Sequence, residues 1–298
     1  MATSITPRPA PALPPALADL SFGARAWYRL RHQFTNPESL KSLLLGIGGV
    51  VLLILAWWLA TELLKLPRFE KLPGPVAVWS EFVSRNPPFG TSVFTPEYYM
   101  HILWSTLRIL VAFGIATVLG VPLGLFMGWN KAWKDYTFPI LELLRPIPVL
   151  AWVPLAILMW SGREEPIIFL AFLASFFATV LNTLLGVESI DEVYFRAARC
   201  LGAKPRHIFF KVVVPGALPF IFTGLQIGMG VAWFSLVAAE MLSGEYGLGY
   251  LIWDSYVLSQ YSVIVIAMVT LGLVGYLCSA AIRLVGRQLM RWSTRGEA

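Results

Sequence analysis

The chain has 298 residues, of which 57% are hydrophobic and only 13% charged, with a formal net charge of +6. A water-facing surface needs more charge than this, so an ordinary soluble domain is excluded and most of the surface must face lipid. The basic balance is explained by membrane topology and leaves no call for a nucleic-acid partner.

Residues 1–18 hold Pro7, Pro9, Pro11, Pro14 and Pro15 among Ala and Leu, a composition that cannot propagate a helix, so a disordered tail is expected. Phe22, Trp27, Tyr28, Leu30 and Phe34 then interleave with Arg25, Arg29 and Arg31. That mixture suits either a short helix lying on the inner leaflet or a plain basic flank of the first span. Residues 1–40 are therefore set apart from a membrane domain at 41–290 and a short cytoplasmic tail at 291–298.

Six stretches contain no Asp, Glu, Lys or Arg: 42–61, 109–130, 146–162, 166–187, 212–239 and 255–282, each 17 to 28 residues long. About 20 apolar residues cross a bilayer, so the pattern predicts an all-α polytopic membrane protein with six transmembrane helices. With the N-terminus in the cytoplasm, sixteen Lys and Arg fall in inside segments and five outside, the positive-inside bias. Both termini are then cytoplasmic. The outside connections are read as loops: 65–100, long enough to offer a docking surface, and 243–261, acidic and aromatic without Lys or Arg.

Four charges fall at membrane depth, where holding them costs free energy: Arg108, Glu142, Arg145 and Glu240. Glu142 and Arg145 are three residues apart on one helical face, and two readings stay open, a structural pair or part of a transport path. Pro146, Pro148 and Pro154 follow, so a bent or broken helix facing a cavity or other protein is expected in the third span. Glu240 ends the fifth apolar run and is read as a snorkelling surface carboxylate in preference to part of an outer gate. Gly224 and Gly228 have the G-x-x-x-G spacing that permits close helix contact. The path candidates are Glu142, Arg145, Trp152, Gln226 and Trp233.

No Gly-Lys dipeptide occurs, so the phosphate-binding loop G-x-x-x-x-G-K-[ST] is missing and the chain is not expected to hydrolyse ATP. His32, His101 and His207 form no H-E-x-x-H, and Cys200 and Cys278 are not spaced for a metal. Neither a catalytic residue nor a metal or other cofactor is expected in this chain.

Between the fourth and fifth runs lies a basic segment, 188–211. Glu188, Glu192 and Arg196 at four-residue spacing suit a short exposed helix. Gly202 suits its C-terminal stop, and Pro205 the first turn of a second short helix. Two helices joined by glycine, with a flat Ala197–Ala198 face, would let another protein pack closely. Topology alone explains the charges of this segment but not the alanine pair or the glycine.

At these residues the sequence resembles the transmembrane subunits of bacterial ABC importers, whose cytoplasmic signature reads E-A-A, three residues, G, nine residues, then I-x-L-P. Ala197, Ala198 and Gly202 match, and "VVVP" ends the signature at Pro215, with Arg196 where the signature has Glu. The runs "ELLRPIPVLAWVPLAI", "GALPFIFTGLQIGMGVAWFSLVAAEM" and "STLRILVAFGIATVLGVPLG" are similar to the branch that imports nitrate, bicarbonate, taurine and other sulfonates. The resemblance implies a type I importer permease-like fold in the bacterial cytoplasmic (inner) membrane. It also implies a homodimer forming the path for a small anion, two cytoplasmic ATPase subunits that hold ATP and Mg, and a substrate-binding protein docking outside. Arg196, Ala197, Ala198, Gly202, Ala203, Pro205 and Pro215 would be the residues coupling the path to the ATPases. An ATP-independent secondary carrier or channel is the alternative.

Overall fold

A computed structural model describes residues 37–64, 67 and 71–290. The proline-rich tail, the aromatic and basic stretch before residue 37 and the segment 291–298 lie outside the described residues. Two compact units are distinguished, one reaching Val76 and one spanning Ala77–Met290.

In the first unit, helix α1 (Pro37–Trp58) continues through a wide turn at Leu59–Leu63. Leu44–Leu63 is apolar enough to cross a membrane. The Trp57 indole N–H donates to Pro73 O at 3.2 Å, which ties the chain after the span back to its end.

The second unit contains α2 (Pro75–Val83, whose first residues belong to the preceding unit), α3 (Pro96–Trp129), α4 (Lys131–Leu144), α5 (Val153–Met159), α6 (Glu164–Glu188), α7 (Glu192–Cys200), α8 (Pro205–Ile208), α9 (Val214–Ser243), α10 (Leu248–Val257) and α11 (Tyr261–Leu289). No strand occurs among the described residues. The central element is α6, which packs along both α3 and α9. Glycines on the neighbours make this close approach. A Cβ at Gly124 would lie 2.6 Å from Val180 O, and one at Gly228 would lie 2.8 Å from Ser175 Oγ. In lipid no hydrophobic force separates helix from solvent, so close van der Waals packing of this kind is what holds spans together. Two of the hydroxyls this brings inside are satisfied within α6, Thr179 donating to Ser175 O at 2.9 Å and Thr183 to Thr179 O at 2.7 Å, while the buried Ser175 Oγ has no partner. Gly124→Ala should lower stability by about 1–3 kcal/mol, because the obstructing atom is backbone and cannot swing away. Gly114→Ala, with nothing within 4 Å, should leave the thermal melting of detergent-purified protein unchanged or slightly raised.

Among the described residues five helices are long and apolar enough to cross a membrane, and six if one bent pair counts as a span. That pair is the third run, where α4 and the Val149–Met159 helix meet at 87°. The break falls at residues 145–148, at Pro146 and Pro148. Pro154 does not break anything: it sits in the first turn of α5, where its missing N–H leaves no bond unmade.

Two expectations are corrected. The second short helix after Gly202 is not separate, since α8, a wide turn at Phe209–Val213 and α9 form one continuous span, Pro205–Leu242. The connection at 243–261 is not an open loop but holds α10, which buries Leu248, Gly249, Leu251 and Ser255. Helix α3 begins at Pro96, twelve residues before Arg108, so this charge lies inside a helix as expected.

Candidate functional site

The two ends of the bundle carry different chemistry. At the end where α3 and α6 begin and α9 finishes, three charged side chains converge. Arg108 is the hub: Nη1 donates to Glu240 Oε1 at 2.8 Å, while Nε and Nη2 donate to Glu164 Oε2 and Oε1 at 2.5 and 2.6 Å. Its Nη1 also donates to Tyr246 O at 2.5 Å, and the Trp104 ring lies 5.6 Å from Cζ. Glu240 is 0% exposed, which overturns its reading as a snorkelling surface carboxylate.

Two charges removed from water are tolerated only where their remaining donors and lone pairs are matched. Glu240 meets that condition through Ser105, whose hydroxyl lies 2.8 and 2.9 Å from its two oxygens, and through Gly249 N–H at 2.9 Å. The local sequence makes this possible. Gly247 takes φ +131°, where a side chain would be strained and its Cβ would collide with the Glu240 carboxylate. The chain thereby doubles back and aims the free N–H groups that open α10 at the cluster. Gly247 N–H reaches His101 Nδ1 at 3.1 Å, and Leu248 N–H donates to Ser105 Oγ at 2.8 Å. Glu240 therefore occupies the start of α10, where orphan donors and the helix dipole both favour a negative charge.

Sequence reasoning found Arg108 and Glu240 from their depth but missed Glu164, Ser105, His101 and Gly247. No signal in the sequence pairs them, since the Arg108 partners lie 56 and 132 residues away.

The opposite end carries the basic segment. Helix α7 is capped at both ends by its own sequence. Asp191 Oδ1 accepts from Val193 N–H at 2.9 Å. Gly202, at φ +75°, lets its N–H return to Arg199 O at 2.9 Å, and Ala203 N–H reaches Ala198 O at 3.0 Å. Those paired bonds are the glycine-ended helix stop. Between the caps no residue is buried. Arg196 and Ala197 are exposed, as is Pro205 at the start of α8, while Ala198 and Ala203 are half-buried and Pro215 is half-buried in the first turn of α9. Phe195 joins the helix to the bundle, packing with Trp129 at 6.5 Å in the cluster of Val187, Val213 and Ala217. Tyr194 and Leu201 point away from the bundle, Leu201 being 88% exposed. An ion pair between Lys134 and Glu188, 2.6 Å, binds the start of α4 to the end of α6 at the same end.

The five path candidates have different surroundings. Glu142 and Arg145 are both exposed, and no ion pair joins them, so the structural pairing is not formed. Trp152 is half-buried beside Phe169 and Phe172, its indole N–H enclosed without a partner. Gln226 is half-buried and spends its amide on Phe222 O at 3.3 Å in its own helix. Trp233 is buried in the core among Met229, Ala232 and Leu236 and against Gly275, a packing position that gives it little surface to line a path.

Residues 120–295 match the family described as the binding-protein-dependent transport system inner membrane component. The chain is 36% identical over 231 residues to the nitrate import permease of Synechocystis, covering 77% of this chain and 82% of that one. It is 34% identical over 253 residues to the taurine transport system permease of Escherichia coli, covering 85% and 90%. A bicarbonate transport system permease of Synechococcus elongatus is 30% identical over 259 residues, covering 85% and 92%. Among solved structures, a chain of the methionine ABC transporter MetNI in an inward-facing conformation shares the fold, with a TM-score of 0.55 at 19% identity over 63% of this chain and 94% of that one.

Proposed function

The chain belongs to the family of binding-protein-dependent transport system inner membrane components, and from that premise we propose that it is the permease of an ATP-driven importer whose substrate is a small anion. Its role is transport, and the family places it in the inner membrane as a multi-pass protein working with ATPase and substrate-binding partners. In this reading two copies form the path, two cytoplasmic ATPases hold ATP and Mg, and a binding protein docks on the outer face. Both termini and α7 are cytoplasmic; the end holding Arg108 is the outer end.

The observation that carries the reading is α7 itself. A helix capped at both ends, with no buried residue and with Tyr194 and Leu201 turned outward, is stable in shape yet unfinished in packing. Exposed apolar side chains on a rigid element mark a protein interface. Co-purification with the ATPase subunits tests it: a stoichiometric complex is expected, and Tyr194→Asp with Leu201→Asp should release the ATPases while leaving the permease inserted. A permease that takes up its substrate without any ATPase would overturn the reading.

Nitrate, bicarbonate and a sulfonate such as taurine are the substrates named for the relatives. Thermal shift of the cognate binding protein with each compound in turn selects among them, and a ligand without an anionic group that stabilises it where none of these does would refute the anion class. Arg145, exposed at the break of the bent span, is the cation we place beside the path. Arg145→Ala should lower uptake by about tenfold, the worth of one charge-assisted contact, with complex assembly unchanged. Uptake at the normal rate would remove Arg145 from the path.

A further inference from the structure

The outer end is closed by ionic contacts of two kinds. The first is enclosed: Glu240 and Arg108 are both buried, and Ser105 and Gly249 complete the carboxylate. The second is wet. Glu164, which also pairs with Arg108, has a side chain 42% exposed, and Arg163 pairs with Glu245, each 64% exposed. Arg163–Glu245 joins two turns, and Glu164–Arg108 joins the first residue of α6 to α3 beside them. One turn, residues 160–163, links the bent span to α6; the other, residues 244–247, links α9 to α10. Arg163 meets Glu245 across them, and one residue further on Glu164 meets the guanidinium that also holds Tyr246 O.

The exposed Arg163–Glu245 pair is worth about 0–1 kcal/mol and opens readily; in Glu164–Arg108 the guanidinium is buried but water reaches the carboxylate, whereas Glu240 has no exposed surface and is penalised heavily if it loses its partner. The two kinds of contact therefore have different lifetimes. The element released when the wet contacts part is the bent span, whose 87° break supplies a hinge at residues 145–148.

We propose that Arg163–Glu245 and Glu164–Arg108 form a two-rung clasp that opens and recloses during each transport cycle. The bond from Arg108 to Glu240 stays shut and keeps the guanidinium in place for reclosure. The first rung fastens the turn after the bent span to the turn after α9 and the second fastens the start of α6 to α3; their opening frees the bent span to swing at the proline break. This rests on the importer reading for its direction, outer, and for its cycle.

The test uses the whole complex in liposomes. Cys200→Ser and Cys278→Ser remove the native thiols, Arg163→Cys and Glu245→Cys replace one rung, and a short bis-methanethiosulfonate links the pair reversibly. Linking should lower uptake at least tenfold with the ATPases still bound, and a reductant should restore it. Glu164→Gln, added to the same background, weakens the remaining rung and should slow linking severalfold. Undiminished uptake by the linked complex would overturn the proposal, as would failure of the linker to join the pair or a linking rate indifferent to Glu164→Gln. Uptake by the unlinked complex judges the importer reading separately, because linking rates need no transport.

Discussion

Arg108→Met is expected to destabilise the protein by about 3–5 kcal/mol, the usual penalty for stripping a buried charge of its counter-ion. The change leaves Glu240 fully enclosed with only Ser105 and Gly249 to match a full negative charge. Glu164 suffers less, since water reaches it. Thermal unfolding of detergent-purified protein would show a melting temperature lowered by several degrees or no folded yield at all. The double variant Arg108→Met with Glu240→Gln should recover much of the loss, because the uncompensated charge is gone and the amide oxygen can still accept from Ser105. Equal damage in the single and double variants would mean that the guanidinium matters for packing against Trp104 and not for charge. Glu164→Gln should cost far less than either, so the three variants together separate the enclosed contact from the wet one.

Gly202→Val is expected to abolish most coupled uptake without harming the fold. At φ +75° a side chain carries a strain of about 1–2 kcal/mol, more for a branched one, although nothing lies within 4 Å to obstruct it. The strain is relieved by unwinding the stop at Arg199 and Ala198, which displaces Tyr194 and Leu201 from a fixed surface. Since α7 has no buried residue, the melting temperature should hardly move, while uptake falls about tenfold and basal ATP hydrolysis persists. Gly202→Asn separates strain from bulk, because Asn tolerates the left-handed region, and it should retain most uptake. Should the Val and Asn variants transport alike, the backbone conformation at residue 202 would have no part in coupling.

The segment around Gly202 was legible because its causes are local. Asp191, Arg199 and Gly202 lie within one stretch of chain, and the caps they form follow from residue type and spacing. The bent third span was legible for the same reason, with Pro146 and Pro148 removing donors wherever the helix runs. Local reasoning misled at the next step, since Pro205 begins a helix but does not say how far it runs. The apolar register of Val213, Ala217 and Ile221 against Leu125 of α3 and Val187 of α6 carries it on into the fifth span.

Sequence alone determined the number of apolar runs and the glycine stop at residue 202, because hydropathy and capping act over a few residues. Only the tertiary structure decided what Glu240 is. A glutamate at the end of an apolar run is a surface group if lipid headgroups surround it. It becomes an anchored ion once α3, α6 and the Gly247 turn dock around it, with Arg108 arriving from 132 residues away. Burial and pairing are properties of the docked helices, and the chain order holds no record of which helix faces which.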